Sequence, residues 1–145
     1  MGPILEVIIS NRINADRRGV ISSLWIFVLF NMLFRDIHEF LRPGAIEEFM
    51  AEEVAEGLLL ASGIVLSLMI SMIVLNRVLS SGAARWANAT VSVVTIAGML
   101  ANPPGDLDDI WFFAVETLAL LAIIGLAWTW RMDPAERGPD PVVAS

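Results

Sequence analysis

Asn31, Arg35, His38 and Arg42 recur at i, i+4, i+7 and i+11, a spacing that stacks four polar side chains on one face of a helix. Their surroundings are apolar, so these groups must meet one another or a partner from a neighbouring helix. The nearest match is Glu116, the one charge in the otherwise apolar run from Ile110 to Trp130. Glu116 lies seven residues beyond Asp109 and Arg35 eight residues before Pro43, so at about 1.5 Å per residue both sit about 10 to 12 Å inside their helix ends. A lone charge at such depth is costly, and pairing Arg35 with Glu116 relieves both. Asn31 and His38 are then expected to satisfy the remaining hydrogen-bonding capacity of the pair. A buried polar centre of Asn31, Arg35, His38 and Glu116 has two readings: a structural clamp between two helices, or a proton- or ion-responsive site.

A second chemistry is suggested by carboxylates. The stretch RDIHEFLRPGAIEEFMAEEVAE, residues 35–56, holds seven acids, two arginines and the only histidine. Glu48, Glu52 and Glu56 fall at i, i+4 and i+8, and a second acidic group, Asp106, Asp108 and Asp109, follows the third apolar run. Together these six are a possible cation-binding set, because Ca²⁺ favours several carboxylate oxygens in flexible geometry. The segment DLDD lacks the alternating ligands and distant glutamate of a calcium loop, so a solvated acidic collar accounts for the same residues. Like charges at i, i+4 repel by only a few tenths of a kcal/mol when exposed, and acids in a first turn favour the helix dipole. Asp106 or Asp108 also reads as the N-cap of the last helix. His38 and Glu39 make a thin transition-metal set, since the chain has one histidine and no cysteine. The metal question is left open, and no cofactor is expected.

The elements that must position these groups follow from composition. The chain has 145 residues, 57% hydrophobic and 17% charged, with a mean hydropathy of +0.71, which suits lipid better than water as solvent. Four apolar segments are long enough to cross a hydrocarbon core of about 30 Å as helices. They predict an all-α fold, an integral membrane antiparallel four-helix bundle over residues 19–131, with helices at about 19–41, 53–79, 83–101 and 108–131. Asn102, Pro103 and Pro104 should end the third helix. Residues 1–18 form a cytoplasmic N-terminal segment on this reading, with no cleavable signal, in which Pro3 to Ile9 lies at the interface or touches a partner. Residues 132–145, rich in proline and charge, are expected to be a disordered cytoplasmic tail. Seven arginines lie on the side of the termini and the second connection and two on the other, which puts both termini in the cytoplasm and the chain in the plasma (inner) membrane.

Trp86, Trp128 and Trp130 fall near the inner interface and Trp111 near the outer one, as anchors do. Gly63, Ser67 and Ser71 recur every four residues, the small-residue pattern that lets helices approach closely in lipid, within one chain or between two copies.

The stretches SSLWIFVLFNMLFRDIHEFLRPGAIEEFM, VAEGLLLASGIVL, NRVLSSGAARWAN and NPPGDLDDIWFFAVETLALL, with FRDIHEF and PPGDLDDI the most specific, resemble an uncharacterised family of small four-span membrane proteins known only as a domain of unknown function. The resemblance covers about Ser22 to Arg131 and implies topology, not activity. A net charge of −7 argues against a nucleic-acid partner, and no nucleophile-base constellation or cofactor motif is visible. The expected function is therefore that of a non-enzymatic accessory subunit or binding module with an acidic outer face and a buried Arg/Glu centre. Its partners are the lipid bilayer and either a membrane protein or further copies of itself. The alternative is a small proton- or cation-linked carrier or channel using Glu116.

Overall fold

The computed structural model describes residues 3–51 and 53–129, and these are helical with no strands among them. The elements are α1 (Pro3–Phe40), α2 (Ala45–Ala51), α3 (Glu56–Val78), α4 (Ser81–Ala101) and α5 (Leu107–Trp128). The four long helices pack side by side in the cyclic order α1, α3, α4, α5, with α2 as a short bridge beside the end of α1. Their common core is Ile21, Trp25, Val28, Met69, Met72, Leu120 and Ile123, each no more than 1% exposed.

Local chemistry sets the helix ends. Pro43 and Gly44 stop α1, Gly44 taking the left-handed backbone (φ 85°) that other residues avoid. Asn102 and the prolines behind it end α4 at Ala101. Asp106 caps α5 by accepting from the Asp109 backbone N–H at 3.1 Å. At the opposite end, arginines of α1 serve as C-caps. Arg18 donates to the carbonyls of Asn76 and Leu79 at the end of α3, and Arg17 to that of Thr129 at the end of α5. A cation beside the last carbonyls complements the negative end of a helix dipole.

Two boundaries differ from the sequence expectation. Pro3 to Phe40 is one helix of 38 residues, about 57 Å long, rather than a separate N-terminal segment followed by a span. No proline interrupts it before Pro43, so nothing in the backbone ends it sooner. The second long helix begins at Glu56 and not near residue 53, because residues 53–55 are extended and α2 is a separate turn of chain. A continuous helix there could not reverse direction between α1 and α3. Glu48 and Glu56 consequently do not share a helical face, and Glu52 and residues 130–145, with Trp130 and the expected tail, lie outside the described residues.

Among the described residues, three segments are long and apolar enough to cross a membrane: Ala15–Phe40 within α1, then α3 and α5. By composition α4 is less apolar than α3 and α5, and the reason lies in its inner face. Ser81, Asn88, Ser92 and Thr95 are buried, whereas Trp86, Val93 and Leu100 are 57 to 64% exposed. These four polar side chains turn in beside Ala84, Val91 and Met99.

Candidate functional site

The end of the helix ring where α1 stops and α5 starts gathers most of the charge. Arg35 Nη1 donates to Glu116 Oε2 at 3.3 Å, with the Arg35 side chain 24% exposed and Glu116 fully enclosed. The arginine reaches inward from α1 because its long stem can lie along apolar surface while its head meets the carboxylate. The second carboxylate oxygen, Oε1, is buried without a protein partner, as are Ser92 Oγ and Thr117 Oγ1.

Asn31 and His38 do not complete this centre as the helical spacing suggested. Asn31 Nδ2 donates to the Phe27 carbonyl of its own helix. His38 is exposed, its Nε2 3.6 Å from Asp108 Oδ2 and its ring 6.2 Å from that of Phe112. The common face exists, but the two shorter side chains find nearer partners than Glu116.

Arg42 ion-pairs with Glu39 one turn back and with Asp106 at 3.4 Å. The Asp109 backbone N–H, then the side chain of Asp108, with Arg42 and His38 beyond them, hold the Asp106 carboxyl below the usual aspartate range. Asp109 also accepts from the Gly105 N–H at 3.3 Å. Carboxylate oxygens of Glu39, Asp106 and Asp109 lie within 4.8 Å of one another, close enough for one cation. This triad differs from the expected set: Asp108 turns to His38, Glu48 and Glu56 stand elsewhere, and Glu52 is outside the described residues. Arg42 already neutralises two members of the triad, so a metal would have to displace it.

Beside the triad, an open groove of about 850 Å³ runs between the end of α1 and α2, lined by Asp36, Glu39, Arg42 and Glu48 with Phe40 and Phe49. The two rings meet edge to face at 5.6 Å. Carboxylates beside aromatic faces offer a cationic ligand both ion pairing and cation–π contact.

A second polar cluster, deeper in the ring, was not anticipated. Trp25 Nε1 donates to Asn88 Oδ1 at 2.8 Å, Asn88 Nδ2 donates to Asn76 Oδ1 and to the Ala84 carbonyl, and Asn76 Nδ2 donates to the Met72 carbonyl at 2.7 Å. Ser22 Oγ adds a bond to the Ile73 carbonyl at 3.0 Å. Trp25, Asn76 and Asn88 are all 0% exposed. The available signal was two amides at the edges of uncharged apolar runs, overlooked when only charges are counted.

Gly63, Ser67 and Ser71 do not pack against a neighbouring helix of the same chain. All three are exposed, the serine hydroxyls bond back to Gly63 and Ser67 carbonyls at 2.8 and 2.7 Å, and a Cβ added at Gly63 would meet nothing within 4 Å. The opposite face of α3 enters the core instead, through Met69, Met72 and Asn76. Trp86 and Trp128 meet edge to face at 5.5 Å, and Trp111 is 68% exposed near the start of α5.

No curated protein and no solved structure matches this chain. One family model does match, over residues 9–136, a range that takes in Arg35, Glu116, the acidic end and the Trp25–Asn88–Asn76 cluster alike. With that share of its length covered, the chain belongs to a family of unknown function, DUF6326.

Proposed function

We propose that the chain is a non-enzymatic integral membrane protein that crosses the plasma (inner) membrane four times, with both termini cytoplasmic, and acts as an accessory subunit or binding module through its outer acidic groove. Support for the fourth crossing comes from α4, whose buried serine, threonine and asparagine side chains and exposed apolar ones suit lipid rather than water. The arginine distribution supports the orientation.

One observation favours binding over transport. Between Glu116 and the cytoplasmic ends, the ring is filled by Trp25, Met69, Met72, Leu120 and Ile123, all at most 1% exposed. Interiors packed in this way disfavour a continuous water path, which supports a binding module over a conduit within a single chain. The groove lined by Asp36, Glu39 and Glu48 opens on the outer side, and its chemistry suits a cationic ligand or a basic segment of a partner.

The second reading, a proton- or cation-linked carrier, draws its support from Glu116 itself, since ionisable groups enclosed among spanning helices often lie on ion paths. Flux separates the two. Purified protein in sealed vesicles under a pH or cation gradient is expected to leak no faster than protein-free vesicles. Gradient-driven flux that Glu116→Gln abolishes would replace the binding-module reading by the carrier.

A further inference from the structure

The enclosed Glu116 has a property that neither pairing nor packing uses. Its Oε1 is buried without a protein partner, while Oε2 alone meets Arg35. An ionised carboxylate in low dielectric ordinarily fills its acceptor sites with hydrogen bonds, and an unfilled one costs free energy. A proton on Oε1 removes that cost. It also removes the charge, and a neutral acid is cheaper to enclose than a carboxylate. Ser92 is nine residues from the end of α4 and Glu116 nine from the start of α5, so across the turn both lie about 13 to 14 Å deep. The Ser92 and Thr117 hydroxyls are also buried and unpartnered, so neither donates to Oε1.

The charges around the centre favour the same event. Arg42 is engaged by Glu39 and Asp106, and His38 by Asp108. Arg35 alone is left for three carboxylates, since Asp36 from α1 and Asp109 from α5 both act on Glu116 through space. From α4 and α3 no charge faces this level, because Trp86–Ala101 and Gly57–Asn76 contain none. One guanidinium against three carboxylates leaves the cluster two charges negative, and a single proton halves that. Access is one-sided: Arg35 is 24% exposed and lies five residues from the end of α1 at Phe40, while the packed core closes the other side.

We propose that Glu116 is an exchangeable proton-binding site served from the outer side, and that protonation on Oε1 releases Arg35 from Glu116 to Asp36 and Asp109. The proton comes from external water. Glu116 becomes a neutral acid, and the guanidinium keeps its charge and its place near the outer surface. The site couples external acidity to the contact between α1 and α5, which flanks the groove lined by Asp36. It rests on the four-span arrangement proposed above.

The test is infrared difference spectroscopy on the full-length protein in oriented vesicles during steps of external pH. Acidification is expected to raise the carbonyl stretch of one protonated carboxylic acid per chain, moved by carboxyl-¹³C glutamate and lost in Glu116→Gln. The label separates glutamate from aspartate among the nine glutamates of the wild-type chain, and the aspartate variants below tie the band to Glu116 even if Glu116→Gln does not fold. Asp36→Asn and Asp109→Asn are each expected to shift the titration to more acid pH and Arg35→Gln to less acid pH. An acid band that is absent or constant at every pH overturns the proposal. So does one that follows internal pH, is displaced by Na⁺ at fixed pH, or keeps its midpoint in both aspartate variants. Labelling of Ile46→Cys from outside in the same vesicles reports the arrangement itself, so a failure of topology is distinguishable from a failure of the proton site.

Discussion

Replacing Asn88 by alanine tests whether the deep polar cluster, rather than the expected face of Asn31 and His38, joins the helices. Asn88 on α4 accepts from Trp25 on α1 and donates to Asn76 on α3, so one side chain ties three helices. Its removal deletes both bonds between helices and leaves the Trp25 N–H and the Asn76 carbonyl oxygen enclosed, since all three residues are 0% exposed. Hydrogen bonds between membrane helices are worth about 0.6 kcal/mol on average and up to about 1.7. Two of them, with the penalty of about 1 to 3 kcal/mol for a stranded buried group partly overlapping, give an expected loss of about 1.5 to 3 kcal/mol. The assay is detergent-driven unfolding of the full-length protein in mixed micelles, followed by tryptophan emission, with Asn31→Ala as the control. Asn31 bonds only to a carbonyl of its own helix, so the control should cost less than about 0.5 kcal/mol. Equal stabilities for the two variants would refute the assignment of helix-joining work to Asn88.

Glu116→Gln in neutral solution should destabilise by about 1 to 3 kcal/mol, less than a fully buried pair because Arg35 remains 24% exposed, and an unchanged unfolding midpoint would remove the pair from the account. Asp106 has a folded-state pKa held below its unfolded value, chiefly by the Asp109 N–H, so its stabilisation is complete above the unfolded value of about 3.9 and disappears as pH falls through the folded one. Stability curves of Asp106→Ala and the parent chain should therefore converge at acid pH and separate above it. Ca²⁺ should leave the parent's unfolding midpoint in place and raise that of Arg42→Gln, because the arginine occupies two carboxylates of the Glu39, Asp106 and Asp109 triad. Ser67→Leu, on an exposed face, should change monomer stability by less than about 0.5 kcal/mol in the same unfolding assay.

The pairing of Arg35 with Glu116 was legible because charges are sparse in these runs and helical rise converts sequence distance into depth. The orientation of the remaining groups was not. His38 shares the Arg35 face, yet an exposed ring beside Asp108 competes, and sequence spacing cannot rank two partners on different elements. The Gly63, Ser67 and Ser71 stripe marks a smooth face without saying what lies against it, and in this chain the wider Met69 and Met72 face packs inward. Residues 53–55 contain no proline or glycine, so local propensity favours the helix that the reversal between α1 and α3 interrupts. Trp25, Asn76 and Asn88 come from three helices, and only assembled packing brings them within hydrogen-bonding reach. Polar residues in α4 lowered its apparent hydropathy for the same reason: they serve the interior, where a hydropathy average cannot see direction.

Four crossings with an outward acidic end underlie every functional statement made for this chain. The absence of native cysteine makes single-thiol mapping direct, since each introduced thiol is unique. Arg12→Cys, Ile46→Cys, Ala83→Cys and Leu107→Cys, all at exposed positions, should be tested with an impermeant thiol reagent on sealed vesicles of known orientation. Ile46→Cys and Leu107→Cys are expected to label from outside only, and Arg12→Cys and Ala83→Cys only when the inner face is opened. Labelling of Ala83→Cys and Leu107→Cys from the same side would mean that α4 does not cross, and would contradict the arrangement on which the groove, the proton site and the closed inner half depend.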